Sequence, residues 1–250
     1  MKIGIIGFGN FGKFMAKHLL KKAEVVVTDV MNKKQEAEEM GLQFVSLEEV
    51  TKQKIIILAV TMESLEEMLH KIKDKISADT LILDVCSLKV FSCKLMDEIL
   101  PNNVEIIGTH PLFGPQSSPN SIKDMRIVLC NVRSKRLNTV KNFCESLGLR
   151  VFITSPEEHD KQMAVSQALT HFIGQVAKKM DIKRVDLSTK TFDNLMDVIE
   201  IIKNDTPALF ENMQTMNPFA KEERERFIAE SKKLNENLNL IGGQNEIFSI

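Results

Sequence analysis

Tryptophan and tyrosine are absent, so any stacking of nucleic-acid bases would rest on phenylalanine alone. An excess of either charge is absent too: 33 Lys and Arg against 34 Asp and Glu leave a formal charge of −1. That balance lacks the electrostatic footprint of a nucleic-acid or anionic-membrane partner. Cys86, Cys93, Cys130 and Cys144 form no Cys-x-x-Cys pair, which argues against zinc and leaves no metal site in view. No signal peptide is visible, so free thiols and a cytoplasmic location are expected. The longest aliphatic runs, such as Ile55–Val60, are far too short to span a bilayer. Neither an internal repeat nor a low-complexity linker interrupts the chain.

What is present is an ordinary amount of core-forming material, 43% apolar residues over 250 positions, arranged in alternating strand and helix patterns. Strand-like runs fall at 2–6, 24–29, 43–45, 55–60, 80–85, 104–108, 125–131 and 150–153, with helical spacing between most of them. This alternation predicts an α/β fold, a Rossmann-type, doubly wound and mostly parallel sheet over residues 1–155. From Pro156 the pattern changes. Residues 157–180 read as one long helix, and further helices are expected at about 187–204, 206–216 and 220–239. An all-helical C-terminal domain over 156–250 follows. A bundle this small leaves an apolar face uncovered, so a homodimer through it is expected.

The first strand runs into Gly7-Phe8-Gly9-Asn10-Phe11-Gly12, and the second ends on Asp29. Strand, Gly-x-Gly-x-x-Gly, helix, strand and acid in that order form the dinucleotide fingerprint. Gly7 permits the tight turn, Gly9 lets backbone approach a pyrophosphate, and Gly12 lets helix and strand pack closely. The helix N-terminus supplies N–H donors to phosphate. Asp29 is placed to accept from ribose hydroxyls. Its charge favours NAD over NADP, a preference that Lys33 and Lys34 soften. Asn10 and Phe11 in the turn, and Val60 at the end of its strand, complete the expected cofactor-binding set. In such sheets ligands lie beyond the carboxyl ends of the strands, where Ser87 and His110 both fall. His110 sits where strand 104–108 gives way to a Gly/Pro-rich loop.

Three segments carry a resemblance. Asp84-Val85-Cys86-Ser87-Leu88-Lys89, Gly108-Thr109-His110-Pro111-Leu112-Phe113-Gly114-Pro115 and Ser166-Gln167-Ala168-Leu169-Thr170-His171-Phe172 resemble the prephenate/arogenate dehydrogenases of tyrosine biosynthesis. The likeness runs over residues 1–220. It implies NAD(P)-dependent oxidative decarboxylation of a small cyclohexadienol acid, prephenate or arogenate, with hydride leaving C4. His110 matches the family's catalytic histidine, a base suited to the C4 hydroxyl proton. Ser87 matches the serine that hydrogen-bonds this histidine and the substrate; as a plain helix N-cap it has a structural alternative. His171 is expected on the substrate side. Lys89 is read either as a charge for the dianionic substrate or as a surface lysine. His159-Asp160 reads as a helix-start capping pair, and His18 and His70 as packing or surface residues.

The chain departs from the family at Val198–Phe210. There the arginine expected to grip a substrate carboxylate is missing, and Ile201 stands in its place. Lys203 and Arg184 are the neighbouring cations, and a lysine does not reproduce a guanidinium fork. Two other readings compete. Gly174-Gln175-Val176-Ala177-Lys178-Lys179-Met180-Asp181 nearly matches the lysine motif of β-hydroxyacid dehydrogenases. A dinucleotide-binding sensor without turnover is the non-enzyme alternative.

Overall fold

The computed structural model describes residues 1–203 and 206–244. Asn204, the last residue of the expected helix 187–204, lies outside the described residues, as do Asp205 and the final stretch 245–250 of the expected helical domain. The chain divides into two compact units, Met1–Asp160 and Lys161–Ile250.

The first unit is built on β1 (Lys2–Ile6), β2 (Glu24–Thr28), β3 (Gln43–Phe44), β4 (Ile55–Leu58), β5 (Leu81–Asp84), β6 (Glu105–Pro111), β7 (Arg126–Arg133) and β8 (Arg150–Ile153). They form one sheet in the order β3-β2-β1-β4-β5-β6-β7-β8. β1 to β6 pair in parallel, β7 turns antiparallel to β6, and β8 runs parallel to β7. The central strands are continuously apolar because helices cover both faces. The order reverses between β1 and β4, which places a crevice beyond their carboxyl ends.

Helix α1 (Asn10–Leu19) buries Gly12, Phe14, Ala16, His18 and Leu19 on one face. The His18 ring packs edge-on against Phe14, with centroids 4.8 Å apart. Next come α2 (Lys34–Glu39), α3 (Leu47–Val50), α4 (Met62–Ile72), α5 (Lys89–Ile99) and α6 (Leu137–Ser146). Among the elements that run beyond their expected length, β6 bears on the site. β6 does not stop at Gly108 but continues through His110, paired with Val128, to Pro111. The antiparallel partner β7 supplies a ladder that the local Gly/Pro composition does not reveal.

The run from 156 is not uniform. α7 (Pro156–Met163) passes into a π-helical segment, Ala164–Leu169, and then into α8 (Thr170–Lys179). A π turn leaves carbonyls off the α ladder. Here the Ala168 carbonyl accepts from Gln214 Nε2 at 2.7 Å, and Arg224 Nη1 holds the Gln214 side-chain oxygen at 2.9 Å. α9 (Lys190–Ile202), α10 (Pro207–Thr215) and α11 (Ala220–Gln244) complete the second unit among the described residues. Thr189 and Thr206 cap α9 and α10 with their hydroxyls. No described helix is long and apolar enough to cross a membrane.

Candidate active site

The glycine turn has two kinds of glycine. Gly7 has φ +103°, and a Cβ there would stand 2.4 Å from the Ala59 carbonyl oxygen. A Cβ on Gly12 would stand 2.1 Å from the Gly7 carbonyl oxygen. Both positions are fixed by backbone packing. Gly9 differs, because nothing lies within 4 Å of where its Cβ would be. It is the N-cap of α1 and gives no side-chain cap, so the first N–H groups of the helix, from Asn10, Phe11 and Gly12, have no intrahelical acceptor. Open space over Gly9 beside these donors fits a pyrophosphate. The Asp29 carboxylate accepts from Phe8 N at 2.6 Å and Met31 N at 2.9 Å. The Lys33 ammonium lies 3.8 Å from that carboxylate and donates to the Phe8 carbonyl at 3.0 Å. Val60 is half-buried just beyond β4.

Asp84, at the end of β5, is fully buried and joins three elements. It accepts from Cys86 N at 3.2 Å, Thr109 N at 3.0 Å and Lys89 Nζ at 2.5 Å. The Lys89 ammonium also donates to the Thr109 carbonyl at 2.7 Å and has no exposed surface. Burial by itself would lower the Lys89 pKa; the Asp84 charge and hydrogen bond, together with Cys93 and Cys86, outweigh it and the net shift is upward. This corrects the expectation for Lys89: it is neither a surface lysine nor a charge for substrate, because its donors are spent inside the unit. The described cysteines are free and buried. Burial, aided by Glu145, pushes the Cys144 thiol up to about 12, so no thiolate is on offer there.

His110 is 6% exposed. Its Nδ1 lies 2.9 Å from Nε2 of His159, and the two rings meet edge to face. His159 Nδ1 in turn lies 2.7 Å from Asp160 Oδ1. Asp160 accepts the backbone N–H groups of Lys89 at 2.8 Å and Val90 at 2.9 Å, the first turn of α5. The pair His159-Asp160 therefore does not cap its own helix; Ser155 does that, its hydroxyl accepting from Glu158 N at 3.1 Å. Asp160 caps α5 from 70 residues away, a relation no local pattern could reveal. Two points about Ser87 are corrected with it. Leu88, not Ser87, is the N-cap residue of α5. The half-buried Ser87 makes no hydrogen bond to His110, whose Nδ1 is taken by His159. Burial first, then His159 and Lys89, hold the His110 pKa well below the ordinary 6.5. Among the described residues its Nε2 has no partner. The site thus holds a neutral imidazole near the carboxyl end of the sheet, with one nitrogen free.

Residues 11–153 match the family model described as prephenate dehydrogenase, nucleotide-binding domain. The chain belongs to the prephenate dehydrogenase family. It is 32% identical to arogenate dehydrogenase 1, chloroplastic, of Arabidopsis thaliana, over 91% of this chain and 37% of that protein. It is 31% identical to the "Probable arogenate/prephenate dehydrogenase" of Methanocaldococcus jannaschii, over 94% of this chain and 56% of that one. The chain thus spans 37% and 56% of the length of these two relatives. Among solved structures, prephenate dehydrogenase from A. aeolicus in complex with hydroxyphenyl propionate and NAD+ superposes with a TM-score of 0.78. Identity is 22%, with 98% of this chain and 93% of that one covered. At that identity the likeness concerns the fold.

A second model, TYRAAT1-like, C-terminal domain, matches residues 176–242. It covers the stretch where Ile201 stands in place of the expected arginine. Ile201 is 51% exposed on α9. Of the neighbouring cations, Arg184 pairs with Asp197 at 2.7 Å and Lys203 with Glu200 at 3.6 Å. His171 is half-buried on the first turn of α8. The glycine of the competing lysine motif has a packing role: a Cβ on Gly174 would stand 2.4 Å from Ile202 Cδ1 of α9. Lys178 is exposed at the end of α8.

Proposed function

We propose that this protein is an NAD(P)-dependent dehydrogenase that oxidatively decarboxylates prephenate or arogenate in tyrosine biosynthesis. The observation that carries the reading is the neutral, buried His110 with an unpartnered Nε2, in a chain of the prephenate dehydrogenase family whose relatives are named for arogenate and prephenate. When bound, the dinucleotide supplies the hydride acceptor. Gly7, Gly9, Asn10, Phe11 and Gly12 hold its pyrophosphate, Asp29 its adenosine ribose, and Val60 lines its path. NAD is favoured over NADP because a carboxylate at Asp29 repels a 2′-phosphate, with Lys33 offsetting part of that charge.

His110 takes the C4 hydroxyl proton as C4 gains carbonyl character. Ser87, just beyond β5, offers a hydroxyl to the substrate, and the family resemblance gives His171 a substrate-binding role. Residues 1–155 form the dinucleotide-binding domain and 156–250 the substrate and dimerisation domain. The enzyme works in the cytoplasm as a homodimer. Support for the dimer comes from α11, where Leu234, Leu238 and Ile241 form an exposed apolar stripe at helical spacing.

The test is direct. Purified protein is incubated with NAD+ or NADP+ and, separately, prephenate, arogenate and 3-hydroxyisobutyrate, while reduced cofactor is recorded. Turnover of a cyclohexadienol acid, lost in His110→Gln, is the expected result. Turnover of the hydroxyacid that depends on Lys178 would overturn it, and so would cofactor binding without turnover of any of the three.

A further inference from the structure

We infer that Asp160 and His159 are positioning residues that make Nε2, and not Nδ1, the basic nitrogen of His110. The inference rests on the function proposed above and adds two residues to its proton chemistry.

The assignment starts from groups with no choice. The backbone N–H groups of Lys89 and Val90 can only donate, and both point at Asp160. Asp160, fully buried, is thereby held as an acceptor. Its Oδ1 also faces His159 Nδ1 at 2.7 Å, so that nitrogen carries a hydrogen. In a neutral imidazole the other nitrogen then accepts. His159 Nε2 accepts from His110 Nδ1 at 2.9 Å, so His110 carries its hydrogen on Nδ1 and a bare lone pair on Nε2. His159 is 2% exposed, so bulk solvent does not compete for these bonds. The other charged group beside His110 is the Lys89 ammonium, which is turned to Asp84 and the Thr109 carbonyl. One carboxylate thus sets two tautomers in series, the role an orienting acid plays in a hydrolytic triad.

The proton balance closes. The C4 hydroxyl proton lodges on His110 Nε2 as its O–H bond breaks, and the bound dinucleotide would take up the hydride that C4 releases. The Nδ1 proton can then shift to His159 Nε2, which puts the positive charge against Asp160. The ring carboxylate leaves as carbon dioxide, the electrons of the broken C–C bond pass through the ring to the C4 oxygen, and the proton returns to that oxygen.

Two variants test this, each with a readout that does not need turnover. Asp160→Asn presents an amide N–H that favours the opposite tautomer of both rings. His159→Leu removes the relay and leaves the cap on α5 intact. Each is expected to lower kcat by about 10²–10⁴-fold with KM changed little. NAD+ affinity should stay as in the parent, and His159→Gln, whose amide oxygen can still accept, should recover part of the loss. In ¹⁵N-labelled protein, His110 Nε2 should read as the unprotonated nitrogen in the parent and as the protonated one in Asp160→Asn. A folded His159→Leu with parental kcat and acid limb would overturn the inference, as would a parent spectrum with the hydrogen on Nε2. The spectrum stands whether or not prephenate or arogenate proves to be the substrate, so failure of the relay and failure of the proposed function are told apart.

Discussion

Burial decides the protonation of His110 before any substrate arrives. Because its pKa is held below 6.5, the base is already neutral at physiological pH, and the acid limb of kcat/KM should fall at a pH below 6.5. An acid limb at or above 6.5 would contradict that environment. The same sign governs stability. His18, lowered first by burial and then by Lys21 and Lys17, and His110 both favour the neutral form in the fold. Their contribution is complete above 6.5 and is lost as pH falls from there through their lowered values, which thermal unfolding against pH should trace. The glycines give a second residue-scale test. Gly9→Ala adds a methyl to open space, so it should fold normally and bind NAD+ at least about tenfold more weakly, a loss of about 1.4 kcal/mol. Gly12→Ala drives a methyl against a carbonyl and should lower the melting temperature. Such roles were legible in the sequence because the fingerprint is local. The partner of His110 was not, since His159 lies 49 residues further on.

At the scale of elements, α5 is tied down at its start by two buried carboxylates. Asp84 grips Lys89 from β5, and Asp160 takes the first N–H groups. Lys89→Met removes one charge of a buried pair and strands the other, so urea unfolding should show a loss of about 3–5 kcal/mol. A loss below about 1 kcal/mol, the value of an exposed pair, would mean that the pair is wetter than its burial implies. The sequence placed a strand, a turn and a helix here correctly, because apolar runs and helical spacing are short-range signals. It misread Lys89, because a lysine two residues past a serine looks the same whether its stem points outward or beneath the sheet. β6 was cut short for a related reason. Gly108 and Pro111 are loop-forming residues by composition, and only the ladder to β7 keeps them extended.

For the whole molecule, the apolar stripe on α11 carries the test of assembly. Leu234→Glu with Leu238→Glu should shift the protein from dimer to monomer in sedimentation, with NAD+ binding retained; a parent that sediments as a monomer would overturn the dimer. The fold class was readable over the full length because alternation is a global rhythm. The substrate-gripping cation was not, since Ile201 stands at the expected position and the neighbouring Arg184 and Lys203 pair with Asp197 and Glu200. The π segment, finally, makes chain length part of the design. It holds the run from Ala164 to Lys179 out of continuous α phase, and each residue of an α-helix advances the side chains by about 100°. A π segment absorbs about one extra residue, so deleting Ser166 should return the run to α geometry with His171 facing as before and no core side chain removed. The shortened protein should keep its helical circular dichroism and NAD+ affinity; loss of the helical signal would overturn this. A single-residue gap is therefore better tolerated here than inside the α-helical stretches on either side.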